Sequence, residues 1–214
     1  MKYCLFYLIA LVFLCGCTSS NSDNIPLSSM DVIQGRDNDG PRLPVYRMRV
    51  PDSWIRRDPL PGESLIDTTK SLCDFLIYED DGIIRIFIHN FPTKTIEERI
   101  PPSAQVARWQ RQFESLVPHE SHINPQAFSG YSGLLFTGVG ILNNEETMVL
   151  AWALQIAPEH CRTLSNPDSY LNKQMRSDVT IKAMGPVTLM KKHKQAIETV
   201  ARSFELIEEI PGNP

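Results

Sequence analysis

Between Gly133 and Ile156 two long, largely apolar runs flank one short polar break at Asn143-Asn144. Asparagine tolerates the positive φ of a tight turn, so the break predicts a hairpin with antiparallel strands over Gly133–Leu142 and Glu145–Ile156. In the second run Met148, Leu150, Trp152, Leu154 and Ile156 share one face, and Val149, Ala151 and Ala153 make the other face apolar too. A strand that is apolar on both sides belongs at the centre of a sheet covered on both sides. Gly138 and Gly140 leave room for close packing in the partner strand.

The rest of the chain supplies elements to build around that hairpin. Alternation predicts strands at Val45–Val50, Asp74–Glu79 and Ile83–Asn90. Asp81-Gly82 turns the last two into a second hairpin, with Ile84, Ile86 and Ile88 inward and Arg85 and His89 outward. Ser103 reads as the N-cap of a helix carrying Val106, Trp109, Phe113, Leu116 and Val117, stopped by Pro118. A short strand follows near Ser121–Phe128. Pro158–Arg176 is polar and irregular, with a short helix expected around Tyr170. A strand is expected at Asp178–Met184, ended by Gly185-Pro186. Val187–Arg202 is an amphipathic helix with Met190, Ile197, Val200 and Ala201 inward, and Ser203–Ile207 is a last strand. The class is α+β: an antiparallel sheet built from hairpins with helices packed on it.

The first seventeen residues are of another kind. Lys2 precedes an unbroken apolar, aromatic or Cys run from Tyr3 to Leu14, too short to span a bilayer as a mature helix. It ends in Leu14-Cys15-Gly16-Cys17, which resembles the lipobox of bacterial lipoproteins, although Cys15 stands where Ala or Ser is usual. The resemblance implies a signal peptide over 1–16, diacylglycerol on the Cys17 sulfur, and a membrane anchor made by lipid. Thr18 stands where Asp often marks inner-membrane retention in enteric bacteria, which favours the outer membrane. Residues 17–44, rich in Ser, Asn, Asp, Gly and Pro, read as a flexible tether. The domain is then 45–210, with a loose tail at 211–214.

The chain of 214 residues has a formal charge of −4. Such a surface offers no general attraction to nucleic acid or anionic headgroups. Besides Cys17, the mature chain keeps Cys73 and Cys161. They either bridge, closing a loop worth ~4 kcal/mol in the chain-entropy model, or stay reduced and buried.

Two segments carry a second resemblance. Tyr46-Arg-Met-Arg-Val-Pro51-Asp-Ser-Trp54 is similar to the "strand, Pro, two residues, Trp" opening of the PsbP-like superfamily. The last helix, running into Ala201-Arg-Ser203-Phe204, is similar to that superfamily's final helix and strand. The resemblance implies an α/β/α sandwich and a non-enzymatic role, as in extrinsic photosystem subunits and bacterial lipoproteins.

Candidate chemistry is sparse. His119-Glu120-Ser121-His122 has His three apart between Pro118 and Pro125, which fits no zinc helix motif. Gly130-Tyr131-Ser132-Gly133 lacks the second Gly spacing of a nucleophile elbow. Lys191-Lys192-His193-Lys194 reads as a solvated helix face, and Glu79, Asp80 and Asp81 as a hairpin tip rather than a calcium loop. No metal, cofactor or catalytic residue is assigned. Trp109 and Trp152 lie on inward stripes, which leaves Trp54 as the candidate contact with a ligand or partner. The expected role is a lipid-anchored, non-enzymatic module that binds a protein of the cell envelope. The alternative is a carrier of a small molecule or lipid in a cleft near Trp54.

Overall fold

The computed structural model describes residues 29–37, 41–93, 95, 97–157 and 170–207. In chain order it contains β1 (Ser29–Gln34), β2 (Pro44–Val50), β3 (Ile55–Arg57), β4 (Cys73–Glu79), β5 (Gly82–Phe91), α1 (Pro102–Gln110) and β6 (Ser115–Leu116). A 3₁₀ turn (Pro118–Glu120), β7 (His122–Phe128), β8 (Tyr131–Leu142), β9 (Glu145–Ile156), α2 (Tyr170–Met175), β10 (Asp178–Pro186), α3 (Val187–Arg202) and β11 (Glu205–Leu206) follow.

The Asn143-Asn144 turn forms as its chemistry requires, with φ of 53° and 62°. β8 and β9 pair along their whole length, and β10 covers the other edge of β9. The large sheet has the order β3-β4-β5-β10-β9-β8-β6, with β7 also on β8, and all its pairings are antiparallel. β9 is therefore central. One of its faces, with Leu150, Trp152 and Leu154, joins the main core beneath α3. The other, with Val149, Ala151 and Ala153, packs with Val106 and Trp109 of α1 and Phe136 of β8. Helices thus cover both faces of the sheet. A small sheet, β1-β2-β11, closes the α3 side with Ile33, Tyr46 and Met48. Gly140 is needed where it stands, because a Cβ there would lie 2.0 Å from the Ser115 carbonyl oxygen on β6.

Four expectations change. The tether expected over 17–44 runs into the domain: Ser29–Gln34 pairs with β2, Ile33 is fully buried, and so is Arg36. Ser103 does not cap α1. The helix starts on Pro102, with Pro101 at the cap position, and stops at Gln110. Phe113 instead meets Phe136 edge-on at 6.2 Å, and Ser115–Leu116 pairs with β8. The edge of β8 offers hydrogen bonds that a longer helix would forgo. β10 runs two residues past Met184, pairing with β9 through Gly185 and Pro186 before it ends there. Trp54 is only 8% exposed and belongs to the main core. Its backbone N–H bonds to the Pro51 carbonyl oxygen at 3.0 Å, a turn that folds the ring inward rather than into a cleft.

Candidate functional site

α1 is short. It covers β8 and β9, but on the same face of the sheet β10 and β5 run on past its edge. There the residues facing away from the main core are Thr180 and Lys182 on β10, and Phe87, His89 and Phe91 on β5. Register places Thr180 beside His89 and Lys182 beside Phe87. Arg108, Trp109 and Gln112 wall one side and Thr68 and Thr69 the other, enclosing a cleft of about 380 Å³. A second hollow of about 440 Å³ adjoins it across Thr69, Phe87 and His89, bordered by Asp58, Glu63, Lys70 and Asp74. Both volumes lie in the range of small-molecule sites.

The floor is aromatic. The Phe87 and His89 rings have centroids 6.5 Å apart, and His89 stacks on Phe91 at 6.4 Å. His89 was expected to face out; its position in the strand is as read, but the cleft walls half-bury it. Burial pushes its pKa down to about 4. Its Nε2 lies 3.3 Å from the Thr69 carbonyl oxygen, to which it donates. Burial, and after it the Arg108 charge, pulls Lys182 down to about 8, and its Nζ donates to Gln112 Oε1 at 2.8 Å. Burial also raises Asp74 on β4. Asp74 pairs with Phe87, which in turn pairs with Lys182. The acid and the amine therefore sit two strands apart, roughly 10 Å, with a phenyl ring between, too far to share a proton.

The His89 shift carries a stability prediction. Free imidazole titrates near 6.5, so between 6.5 and 4 the unfolded chain takes up a proton that the folded chain refuses. The stabilisation is present above pH 6.5 and is lost as pH falls towards 4, by at most about 3 kcal/mol. His89→Gln should flatten the fall in urea midpoint between pH 7 and 4. Parallel curves for the two proteins would show that the ring is not held neutral.

The cleft wall at Thr68–Lys70 hangs on Arg36. This fully buried guanidinium donates to the carbonyl oxygens of Asn90 (2.9 Å), Leu65 (2.9 Å), Asp67 (3.0 Å), Thr68 (3.4 Å) and Lys70 (2.8 Å). Burial lowers its pKa to about 10, so it remains charged at neutral pH.

The other candidates fall elsewhere. Cys73 is a buried thiol on β4, pushed up to about 12 by burial; Cys161 and Cys17 lie outside the described residues. His119 and His122 are exposed, while Glu120 pairs with Lys191 at 2.8 Å. Ser129 and Gly130, both at positive φ, turn the chain into β8 ahead of Tyr131. The basic run on α3 is engaged: Lys192 and His193 both reach Glu79 at 2.9 Å. Sequence reasoning passed over Phe87, Phe91, Arg108 and Lys182. The available signal was two Phe alternating with His89 on the strand face opposite the inward Ile residues.

No family model matches the chain, and no curated protein matches it in sequence. Among solved structures it is similar to LpqN of Mycobacterium tuberculosis, described as involved in cell envelope biogenesis. That likeness has 11% identity, covers 89% of this chain and 99% of LpqN, and has a TM-score of 0.50. PsbP of the cyanobacterium Synechocystis sp. PCC 6803 is similar at 16% identity over 75% of this chain and 86% of its own, with a TM-score of 0.45. A protein of Bacteroides thetaiotaomicron VPI-5482 shows 13% identity over 79% and 47%, with a TM-score of 0.37. At 11% identity the likeness to LpqN concerns the fold alone.

Proposed function

We propose that this chain is a non-enzymatic lipoprotein of the bacterial cell envelope, anchored through Cys17, and that its domain holds a small ligand in the cleft between α1 and β5–β10. The cleft carries the reading. It has an aromatic floor and polar groups on its walls, and Asp74, in the adjoining hollow, stands apart from its amine. That arrangement suits binding better than proton transfer. It also replaces the Trp54 cleft expected from the sequence. LpqN shares the fold and is described as involved in cell envelope biogenesis, which fits an envelope role here. The tether is short, since residues 18–28 reach at most about 40 Å when fully extended. An anchored domain on such a leash meets membrane-bound partners at high local concentration, so a protein of the same membrane is the natural donor or acceptor of the ligand.

The anchor is tested by growing cells with radioactive palmitate. The wild-type chain should take up label and Cys17→Ser should not. A wild-type chain that stays unlabelled, or whose N-terminus is still Met1, would refute the anchor. Native mass spectrometry of chain taken from its own envelope should find a small ligand bound.

A further inference from the structure

We propose that the cleft takes an organic anion, a carboxylate joined to a flat apolar body, with the carboxylate between Lys182 and Arg108 and the body on Phe87, His89 and Phe91. This rests on the reading that the cleft is the domain's binding site, and adds the class of ligand.

Charge makes the case. Around the adjoining hollow Lys70 pairs with Glu63 and Arg56 with Asp58, while Arg57 is in no ion pair among the described residues. Among the described residues Lys182 and Arg108 are in no ion pair. Lys182 is half-buried, and its one hydrogen bond goes to a neutral amide. An ammonium has three donors, so two are left for water or a ligand in the cleft. Burying a cation without a counter-charge is costly, and the cost falls when an anion joins it. The ten residues lining this cleft include no Asp or Glu. Glu63 and Asp58 border only the adjoining hollow and are already paired. Arg108 stands at the rim, exposed, where its planar guanidinium can grip a carboxylate through two parallel hydrogen bonds. The floor supplies the rest of the recognition. Phe87, His89 and Phe91 follow one another along β5, with the His89 and Phe91 planes within 11° and Phe87 tilted by 40°, and give an aromatic surface with Trp109 at the back. A bare inorganic anion would leave that surface unused, and an uncharged aromatic would leave Lys182 without its counter-charge.

The test is equilibrium dialysis on the intact lipidated chain in phosphatidylcholine nanodiscs, with empty discs as the baseline. The probes are 2-naphthoate, its neutral isostere 2-naphthamide, and inorganic phosphate. The expected result is saturable binding of 2-naphthoate, at least tenfold tighter than either of the others. Lys182→Met and Arg108→Gln should each weaken it at least fivefold. Arg108 is exposed, so its variant keeps the test valid if Lys182→Met folds poorly. Equal binding of naphthoate and naphthamide would overturn the anion while leaving the cleft as a binding site. A preference for naphthoate that survives both variants would overturn the assigned seat. Phosphate binding as tightly as naphthoate would overturn the apolar body. If no probe binds, the cleft reading falls as well.

Discussion

Arg36→Met should cost at least about 4 kcal/mol of stability, seen as a lower urea midpoint at unchanged slope. The wild-type guanidinium satisfies five carbonyl oxygens, two of them, on Leu65 and Asn90, through fully buried hydrogen bonds. Methionine fills the space of the stem and offers no donor. A buried acceptor left without a partner costs about 1–3 kcal/mol. The bonds to Asp67, Thr68 and Lys70 are only part-buried, and water replaces some of them, which is why the expected total sits near the low end of five such losses. Arg36→Lys keeps the charge but brings three donors in place of five, so it should recover part of the loss, not all. Hydrogen exchange should quicken across 65–70 in both variants before the rest of the sheet is affected. Because Thr68 and Thr69 wall the cleft, ligand affinity should fall even where the fold survives. A loss below about 1 kcal/mol would mean that the segment is held by something other than this side chain.

That residue also shows where the sequence stops being readable. Arg36 sits just after a short strand, in a stretch whose Ser, Asn, Asp and Gly content reads as tether. A strand of six residues with Val32 exposed and Ile33 buried gives little local pattern. Its place is set by pairing with β2 and by carbonyls more than twenty-five positions away, which no window on the sequence contains. The hairpins were legible because their cause is local: Asn143-Asn144 adopts positive φ by itself, and alternation marks the faces on either side. Helix α3 was legible for the same reason, its apolar stripe repeating over four turns. The cleft was half legible. Alternation put His89 on the face away from Ile84, Ile86 and Ile88, as found. Whether that face meets water or a wall depends on α1 and the 65–70 segment, both distant in sequence. The end of α1 was misread because Phe113 and Leu116 continue the helical spacing while the open edge of β8 draws the chain into a strand.

Asp178→Ala should cost about 3–5 kcal/mol, and the reason bears on the opposite wall of the cleft. Asp178 and Arg99 are 6% and 7% exposed at the side chain and meet at 2.7 Å. The second carboxylate oxygen accepts from the Ile100 backbone N–H and from Gln155 Nε2, each at 3.1 Å. Gln155 also bonds to the Ile100 carbonyl oxygen at 3.1 Å, and Arg99 Nη1 bonds to the Ile156 carbonyl oxygen at 3.1 Å. The residues leading into α1 are thus fixed to β9 and β10, and with them the approach of Arg108 and Trp109 to the floor. Alanine removes the Asp178 carboxylate from beside the buried Arg99 guanidinium, and taking away one member is the costly way to break such a pair. Burial raises the Asp178 carboxyl above its ordinary range even with Arg99 beside it, so the pair is a poor source of net stability. Replacing both partners with apolar residues, Asp178→Leu with Arg99→Met, should therefore cost far less than Asp178→Ala alone. The double-mutant cycle reads this as a coupling of several kcal/mol. The double variant should fold yet bind 2-naphthoate more weakly than wild type, because the residues leading into α1 lose the bonds from Arg99 and Asp178 that hold them to the sheet. If the double variant binds as tightly as wild type, the pair does not position the cleft.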